Sequence, residues 1–170
     1  MSKKHYIITS ITLGAIAASS AVLIGLANMV TKDQIVKNEQ AKVLKGITQI
    51  FGEGTEIISE HEVSYGRYVK YQYNVTGGHA FRTTGSNMYG KISLLVGFTG
   101  SSGNYKYTGV YMVTDEQTYA STLEDNYIPK INDTEDYESV DVHCGATYGA
   151  TTVHDMIKEA KEYIESWIIE

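Results

Sequence analysis

The chain begins with a long apolar stretch. No charged residue occurs in residues 6–30, whereas Lys3 and Lys4 precede this stretch. About 20 apolar residues suffice to span the hydrocarbon core of a bilayer as a helix. The pattern therefore predicts a transmembrane helix over residues 6–30, with residues 1–5 in the cytoplasm, because positively charged flanks stay on that side. The domain that follows is then expected on the extracytoplasmic side.

A cleaved secretory signal is the alternative for the same stretch. Ala15-Ile16-Ala17 has the small-residue form of a cleavage site. Cleavage there would leave an apolar run, residues 18–30, at the new N-terminus, and the stretch is longer than the core of an ordinary signal. Both points favour an uncleaved anchor, which implies a single-pass protein of the cell membrane in contact with lipid.

The next segment, residues 31–60, changes to a helical pattern and then a connection. Its apolar residues can share one broad helical face, which predicts a helix that leaves the membrane and packs on the domain; a plain spacer helix is the alternative. Gly52 and Gly54 predict the end of this helix. The residues of the apolar face are Ile35, Val36, Val43, Leu44, Ile47 and Ile50.

From Glu62 onward, apolar and polar positions alternate with period two, which indicates β-strands. Gly77-Gly78 predicts a hairpin turn between the first two of them. The third strand is more apolar and is expected in the centre of the sheet. Short strands separated by such turns are typical of an antiparallel sheet. The predicted strands are residues 67–75, 79–84, 91–98 and 105–114.

The chain ends in a predicted amphipathic helix. Thr152 and Asp155 have the spacing of a capping box, which predicts that this helix begins at about residue 152. The acidic stretch 115–138 carries the only proline and is expected to mix a short helix with loop. Together the patterns predict an α+β fold, in which one N-terminal transmembrane helix precedes an antiparallel-sheet domain, residues 61–170, closed by a C-terminal helix. The apolar face of that helix comprises Val153, Met156, Ile157, Ala160, Ile164, Trp167 and Ile168.

Composition excludes several functions. The 170-residue chain has a net charge of −6, so nucleic acid is not expected as a partner, since phosphate backbones are bound by clustered Lys and Arg. Cys144 is the single cysteine, which excludes an internal disulfide and a multi-cysteine metal cluster. His143 and His154 have acidic neighbours but lack the spacing of a known metal site, so no metal is predicted.

A stretch of small residues, 144–152, precedes the last helix. It reads Cys-Gly-Ala-Thr-Tyr-Gly-Ala-Thr-Thr. Glycine lets another molecule approach the backbone closely, and the N–H groups and dipole of a helix N-terminus attract an anion. The hydroxyls of Thr147, Thr151 and Thr152 can donate to phosphate oxygens, and a hydroxyl can be esterified. The residues alone leave two interpretations open: a phosphate site, or a tight turn at the start of a helix.

The stretch 141–147 resembles the flavinylation motif of FMN-binding domains in the RnfG and NqrC subunits of ion-pumping membrane oxidoreductases. That motif runs Asp, two variable residues, Ser or Thr, Gly, Ala, Thr. Here it reads Asp141-Val142-His143-Cys144-Gly145-Ala146-Thr147, with Cys144 where the family has a hydroxyl residue. The resemblance implies that a flavin transferase joins FMN to Thr147 through a phosphoester bond and that it reads Asp141 as part of the motif.

The resemblance covers nearly the whole chain. Residues 23–51 are similar to the family's anchor and the helix after it, and residues 85–118 to its glycine-tyrosine-glycine loop, its central strand and the next strand. In the family, an acidic residue, a threonine, a proline and a Gly-Leu-Gly run follow that strand. Here Glu116 and Thr118 stand in this place, without the Gly-Leu-Gly run.

By this resemblance the chain is expected to be a membrane-anchored FMN-binding flavoprotein that relays electrons, an electron-transfer subunit rather than a self-contained enzyme. The implied assembly is an Rnf ion-translocating complex, with its other membrane subunits and a flavin transferase as partners. Two alternatives stay open: a stand-alone anchored flavoprotein for extracellular electron transfer, and a non-redox surface-binding domain. Tyr148, Tyr89 and Met88 are candidates for packing on the flavin ring. The implied FMN site comprises Thr147, Cys144, Gly145, Ala146, Tyr148, Thr151, Thr152, Asp141, Glu116, Thr118 and Tyr89.

Overall fold

A computed structural model describes residues 3–101 and 103–166. Tertiary contacts divide the chain into two compact units, Met1–Ala41 and Lys42–Glu170. The helices are α1 (Lys3–Phe51), α2 (Ala120–Asn126), α3 (Ile128–Asn132) and α4 (Thr147–Ser166), with a short 3₁₀ helix at Tyr137–Ser139. The strands are β1 (Ile57–Tyr65), β2 (Val69–Val75), β3 (Gly78–Asn87), β4 (Gly90–Ser101) and β5 (Asn104–Asp115).

The first unit consists of the N-terminal part of α1. Its apolar side chains are exposed, and the helix is long and apolar enough to cross a membrane, with a window of mean hydropathy 2.1. The hydroxyls of Thr12, Ser19 and Thr31 donate to the carbonyl oxygens four residues earlier, at 2.9, 2.8 and 2.7 Å. These hydroxyls therefore have hydrogen-bond partners within the helix, as polar groups need in an apolar environment that contains no water. The predicted N-terminal apolar helix is confirmed.

The second unit is built on a five-stranded antiparallel sheet, which confirms the predicted antiparallel arrangement and adds β1 to the four predicted strands. The strands follow one another in the order β1-β2-β3-β4-β5. β4 lies between β3 and β5 and is buried over residues 92–98, whereas β3 is the middle strand. β1 begins at Ile57, before the predicted alternation. Ile57 and Ile58 are both exposed on this edge strand, so the start of β1 leaves no alternating pattern in the sequence.

One face of the sheet is covered by the helices that follow it. The predicted apolar face of α4 is confirmed for its described residues, while Trp167 and Ile168 lie outside the part of the chain that the structure describes. Those α4 side chains pack with residues of β3, β4, β5, α2 and α3 in one hydrophobic core. The buried α4 residues are Val153, Met156, Ile157, Ala160 and Ile164.

The other face is covered by the C-terminal end of α1, within the second unit. Val43 and Ile47 are buried there and Ile50 is partly buried, which confirms that this part of the predicted helix packs on the domain. A Cβ atom at Gly46 would lie 2.5 Å from the Tyr111 ring, and one at Gly97 would lie 2.4 Å from Ile50. Glycine at both positions therefore lets helix and sheet approach closely. Leu44, Ile35 and Val36 are exposed.

The predicted start of the last helix is wrong. α4 begins at Thr147, and its first intrahelical bond runs from the Ala150 N–H to the Ala146 carbonyl at 3.0 Å. The hydroxyl of Thr152 donates to the Tyr148 carbonyl at 2.8 Å and does not cap the helix. Tertiary packing outweighs the low helix propensity of the small residues, because Gly149 and Ala150 are buried.

Asn132, at the end of α3, forms two hydrogen bonds with the backbone of β5, the last strand of the sheet. Its Oδ1 accepts from the Val110 N–H at 2.7 Å, and its Nδ2 donates to the Val110 carbonyl at 3.0 Å. Asn132→Asp would keep the acceptor and lose the donor, and would place a charge against a carbonyl oxygen. We expect thermal and urea unfolding to show a loss of about 1–2 kcal/mol. Asn126→Asp at an exposed position is the matched control, and equal losses in the two variants would contradict the role of Asn132.

Candidate functional site

A cavity of about 270 Å³ lies beside the first turn of α4. Three separate segments form it: the turn between β3 and β4, the segment after β5, and the loop that leads into α4. The cavity therefore exists only because the sheet and α4 bring these segments together. Its lining residues are Tyr89, Gln117, Tyr119, Gly145, Ala146, Thr147, Tyr148 and Gly149.

Thr147 stands at the N-terminal end of α4, on the wall of the cavity. The first N–H groups of a helix have no intrahelical partner, so those of Thr147, Tyr148 and Gly149 are available to an anion. Gly145 turns the chain into the helix with φ +87°, a conformation that favours glycine. A hydroxyl, free backbone donors and the positive end of a helix dipole thus coincide at one point.

Three tyrosines form the rim of the cavity. The Tyr89 ring lies 5.5 Å from that of Tyr119 and 5.6 Å from that of Tyr148, centroid to centroid. All three side chains are partly open to solvent, although Tyr89 contacts the other two. Aromatic faces held in this way can receive a planar ring. Met88 is exposed and is not part of the lining.

A hydrogen-bond network holds the three segments in place. Asn87 Nδ2 donates to Gln117 Oε1 at 2.7 Å, to Thr152 Oγ1 at 3.2 Å and to the Tyr148 carbonyl at 3.3 Å. Asn87 Oδ1 accepts from the Tyr89 N–H at 2.8 Å. One side chain therefore ties the β3–β4 turn, the segment after β5 and the first turn of α4 together.

The structure brings five of the sequence-predicted residues together in the cavity lining and places the others around it. Thr151 and Thr152 lie within α4, and their hydroxyls donate to the carbonyls of Thr147 and Tyr148 at 2.9 and 2.8 Å. Those hydroxyl protons therefore point along the helix rather than to a phosphate. The five lining residues are Tyr89, Gly145, Ala146, Thr147 and Tyr148.

Glu116 and Thr118 flank Gln117 with exposed side chains. Their backbone N–H groups donate to the carbonyls of Lys91 at 2.9 Å and Tyr89 at 3.3 Å, which fastens this segment to the β3–β4 turn. Gln117, between them, is the residue that turns into the cavity. Sequence reasoning missed Gln117, Tyr119 and Gly149 as lining residues, because no local pattern distinguishes them. Only the position of Gln117 between Glu116 and Thr118 could have drawn attention to it.

Asp141 and Cys144 lie in the loop before α4 and do not line the cavity. Asp141 Oδ1 accepts from the His143 N–H at 2.9 Å and lies 2.7 Å from His143 Nδ1. These contacts, the backbone bond first, lower the pKa of the exposed Asp141 carboxyl. Asp141 therefore stays ionised and shapes the loop, while Cys144 is half-buried under it.

Tyr127, at the junction of α2 and α3, is buried in the core. The electrostatic effect of residues in this loop adds to the effect of burial on its pKa. Burial, with Cys144 and Asp141 adding, raises the pKa of Tyr127 to about 12. The folded pKa thus exceeds the unfolded value of about 10, so stability from this group is complete below about pH 10 and is lost as pH rises towards about 12.

Tyr127→Phe is therefore expected to weaken the alkaline loss of stability, by at most about 1 kcal/mol per pH unit. The Tyr127 hydroxyl has no hydrogen-bond partner among the described residues, so stability at pH 7 should change by less than about 1 kcal/mol. Urea unfolding between pH 7 and pH 11 measures both effects. Tyr119→Phe, at an exposed position, is the control, and an unchanged alkaline slope in Tyr127→Phe would contradict the prediction.

The fold and site define an α+β domain that carries an N-terminal apolar helix and an aromatic-rimmed cavity at a helix N-terminus. Residues 1–50 match the family model described as the RnfG N-terminal region. This match supports an RnfG-like subunit. No curated protein and no solved structure matches the chain.

Proposed function

We propose that the chain is a membrane-anchored flavoprotein that carries FMN covalently on Thr147 and relays electrons as the G-type subunit of an Rnf-type complex. One observation carries the proposal: the threonine that the motif singles out stands on the wall of a cavity rimmed by tyrosines. The match of residues 1–50 to the RnfG N-terminal region supports the choice of complex.

The residues present fit a tethered FMN. The cavity, at about 270 Å³, is slightly smaller than the range of about 300–1,000 Å³ that encloses a drug-sized ligand. A flavin ring would therefore lie partly exposed, which suits electron exchange with another protein. A phosphate on Thr147 would meet the free N–H groups of the first turn of α4.

The bound flavin supplies the electron-transfer chemistry, and the protein supplies position and surroundings. Thr147 Oγ would form the ester by attack on the FMN phosphorus of an activated donor, a flavin dinucleotide supplied through the transferase. The bond between that phosphorus and the nucleotide half would break, the nucleotide monophosphate would leave, and the hydroxyl proton would be lost, for a net gain of FMN less one water. Tyr89, Tyr119 and Tyr148 would offer aromatic surfaces to the planar ring of the flavin. Asn87 fixes the relative positions of the three segments that form the site, because it forms hydrogen bonds with all of them.

The anchor explains why a covalent link is useful. Lys3 and Lys4 before the apolar part of α1 favour a cytoplasmic N-terminus, and the domain would then lie on the extracytoplasmic side. A cofactor held there without a bond would be lost by diffusion. The ester on Thr147 keeps it with the protein.

The test is expression of the full chain with and without a flavin transferase, followed by a denaturing gel of the membrane fraction. The proposal predicts a flavin-fluorescent band at the size of the chain that requires the transferase and remains with the membranes after a carbonate wash. No fluorescence with the transferase would reject the flavin and favour a surface-binding domain. Co-purification with the other membrane subunits separates an Rnf-type complex from a stand-alone flavoprotein.

A further inference from the structure

Gln117 is a buried polar side chain in the wall of the cavity. Its exposed fraction is 9%, and it lines the cavity together with Tyr89 and Tyr119. A Cβ atom at Gly149 would lie 3.1 Å from both the nitrogen and the oxygen of its amide. The amide therefore packs directly on the first turn of α4, where Thr147 begins the helix.

Two neighbours fix which way the Gln117 amide points. Its Nε2 lies 3.1 and 3.3 Å from the two carboxylate oxygens of Asp115, and its Oε1 accepts from Asn87 Nδ2 at 2.7 Å. A carboxylate oxygen accepts hydrogen bonds, so the nitrogen of the amide faces Asp115. The Gln117 N–H also donates to Asp115 at 2.9 Å, which holds the backbone in the same place.

These contacts use only part of the hydrogen-bonding capacity of Gln117. A carboxamide has two N–H groups and two lone pairs on oxygen. The two oxygens of the Asp115 carboxylate lie in nearly the same direction from Nε2, at 3.1 and 3.3 Å, so one N–H can serve both, while one lone pair of Oε1 serves Asn87. Among the described residues, no side chain or backbone group takes up the other N–H or the other lone pair, and the side chain carrying them lines the cavity.

We propose that Gln117 is the polar contact that orients the flavin ring in the cavity, and that it selects a ring with adjacent N–H and carbonyl groups. This inference rests on the proposed function. The pyrimidine half of a flavin presents such groups, which pair with the free N–H and the free lone pair of the amide. A purely apolar ring would leave both amide groups buried without partners, which disfavours it.

The experiment uses the full chain, flavinylated by co-expression with a flavin transferase. Gln117→Leu removes the amide at similar size, and Gln40→Leu makes the same substitution at an exposed position of α1 as the matched control. Intact mass reports the tether, while the fluorescence and the midpoint potential of the flavin report the position of the ring. We expect Gln117→Leu to gain the same mass as the wild type, to fluoresce several-fold more strongly as the ring leaves the tyrosines, and to shift its potential. Gln40→Leu should match the wild type.

Each outcome is decisive. Wild-type fluorescence and potential in Gln117→Leu would overturn the role of Gln117 and leave the tethered flavin intact. No FMN mass on the wild type would reject the proposed function and this inference with it. If Gln117→Leu does not fold, the side-chain amide signal of Gln117 is compared in isotope-labelled protein with and without FMN. A shift of that signal supports the contact, and an unmoved signal overturns it.

Discussion

Thr147→Ala is expected to lose all covalently bound FMN. The proposed ester requires a hydroxyl on the wall of the cavity, and Thr147 has one at the N-terminal end of α4. Alanine removes the hydroxyl and keeps a residue of good helix propensity, so the fold should persist. Intact mass of chain co-expressed with a flavin transferase measures the effect. The wild type should gain the mass of FMN less one water, and the variant should gain nothing.

Two further variants control this result. Thr147→Ser keeps a hydroxyl and should retain FMN, whereas Thr151→Ala removes an exposed hydroxyl one turn later and should not affect the gain. The Thr151 hydroxyl donates to the Thr147 carbonyl at 2.9 Å, which keeps it out of the cavity. A gain of FMN by Thr147→Ala, or its loss in Thr151→Ala, would move the attachment to another residue.

Glu159→Gln is expected to lower the free energy of unfolding by about 2–3 kcal/mol. The Glu159 carboxylate, on α4, accepts from the backbone N–H groups of Arg67 at 2.8 Å and Val69 at 2.9 Å, and also from that of Tyr68. It therefore joins the last helix to the turn before β2. An amide keeps one oxygen and places a donor against these donors, so at least one N–H loses its partner.

The close fit of this turn supports the size of the effect. Gly66 has φ +58°, and a Cβ atom there would lie 2.5 Å from the Glu159 carboxyl carbon. Thermal and urea unfolding of the full chain measure the change. Glu162→Gln, at an exposed position of the same helix, should change stability by less than about 0.5 kcal/mol. Similar losses of stability in Glu159→Gln and Glu162→Gln would show that the hydrogen bonds of Glu159 to the turn before β2 contribute nothing specific.

Much of the fold could be predicted from the sequence because burial leaves a periodic pattern. β2 alternates Val69, Tyr71 and Tyr73 with polar residues, and α4 repeats apolar residues at helical spacing. The start of α4 could not be predicted in this way. Gly149 and Ala150 belong to a stretch with the composition of a loop, and only the contact of Gly149 with Gln117 and Leu123 shows that it is packed as helix.

The residues of the candidate site also fall into those that leave a local signal in the sequence and those that do not. Thr147 and Tyr89 could be predicted because a motif and a resemblance single them out. Gln117 and Asn87 could not, because each is one polar residue in a polar segment and gains its role from partners far along the chain. Thr152 was predicted beside the phosphate for its hydroxyl, but its hydrogen bonds connect α4 to Asn87 instead.

Peptide mapping of the flavinylated chain tests the central claim most directly. Cleavage after lysine and arginine gives one peptide, residues 131–158, that contains Thr147 together with Thr134, Thr151 and Thr152. Fragmentation of this peptide locates the added mass. The expected result is a mass of FMN less one water on Thr147. The same mass on another threonine, or an unmodified peptide from chain made with the transferase, would contradict it.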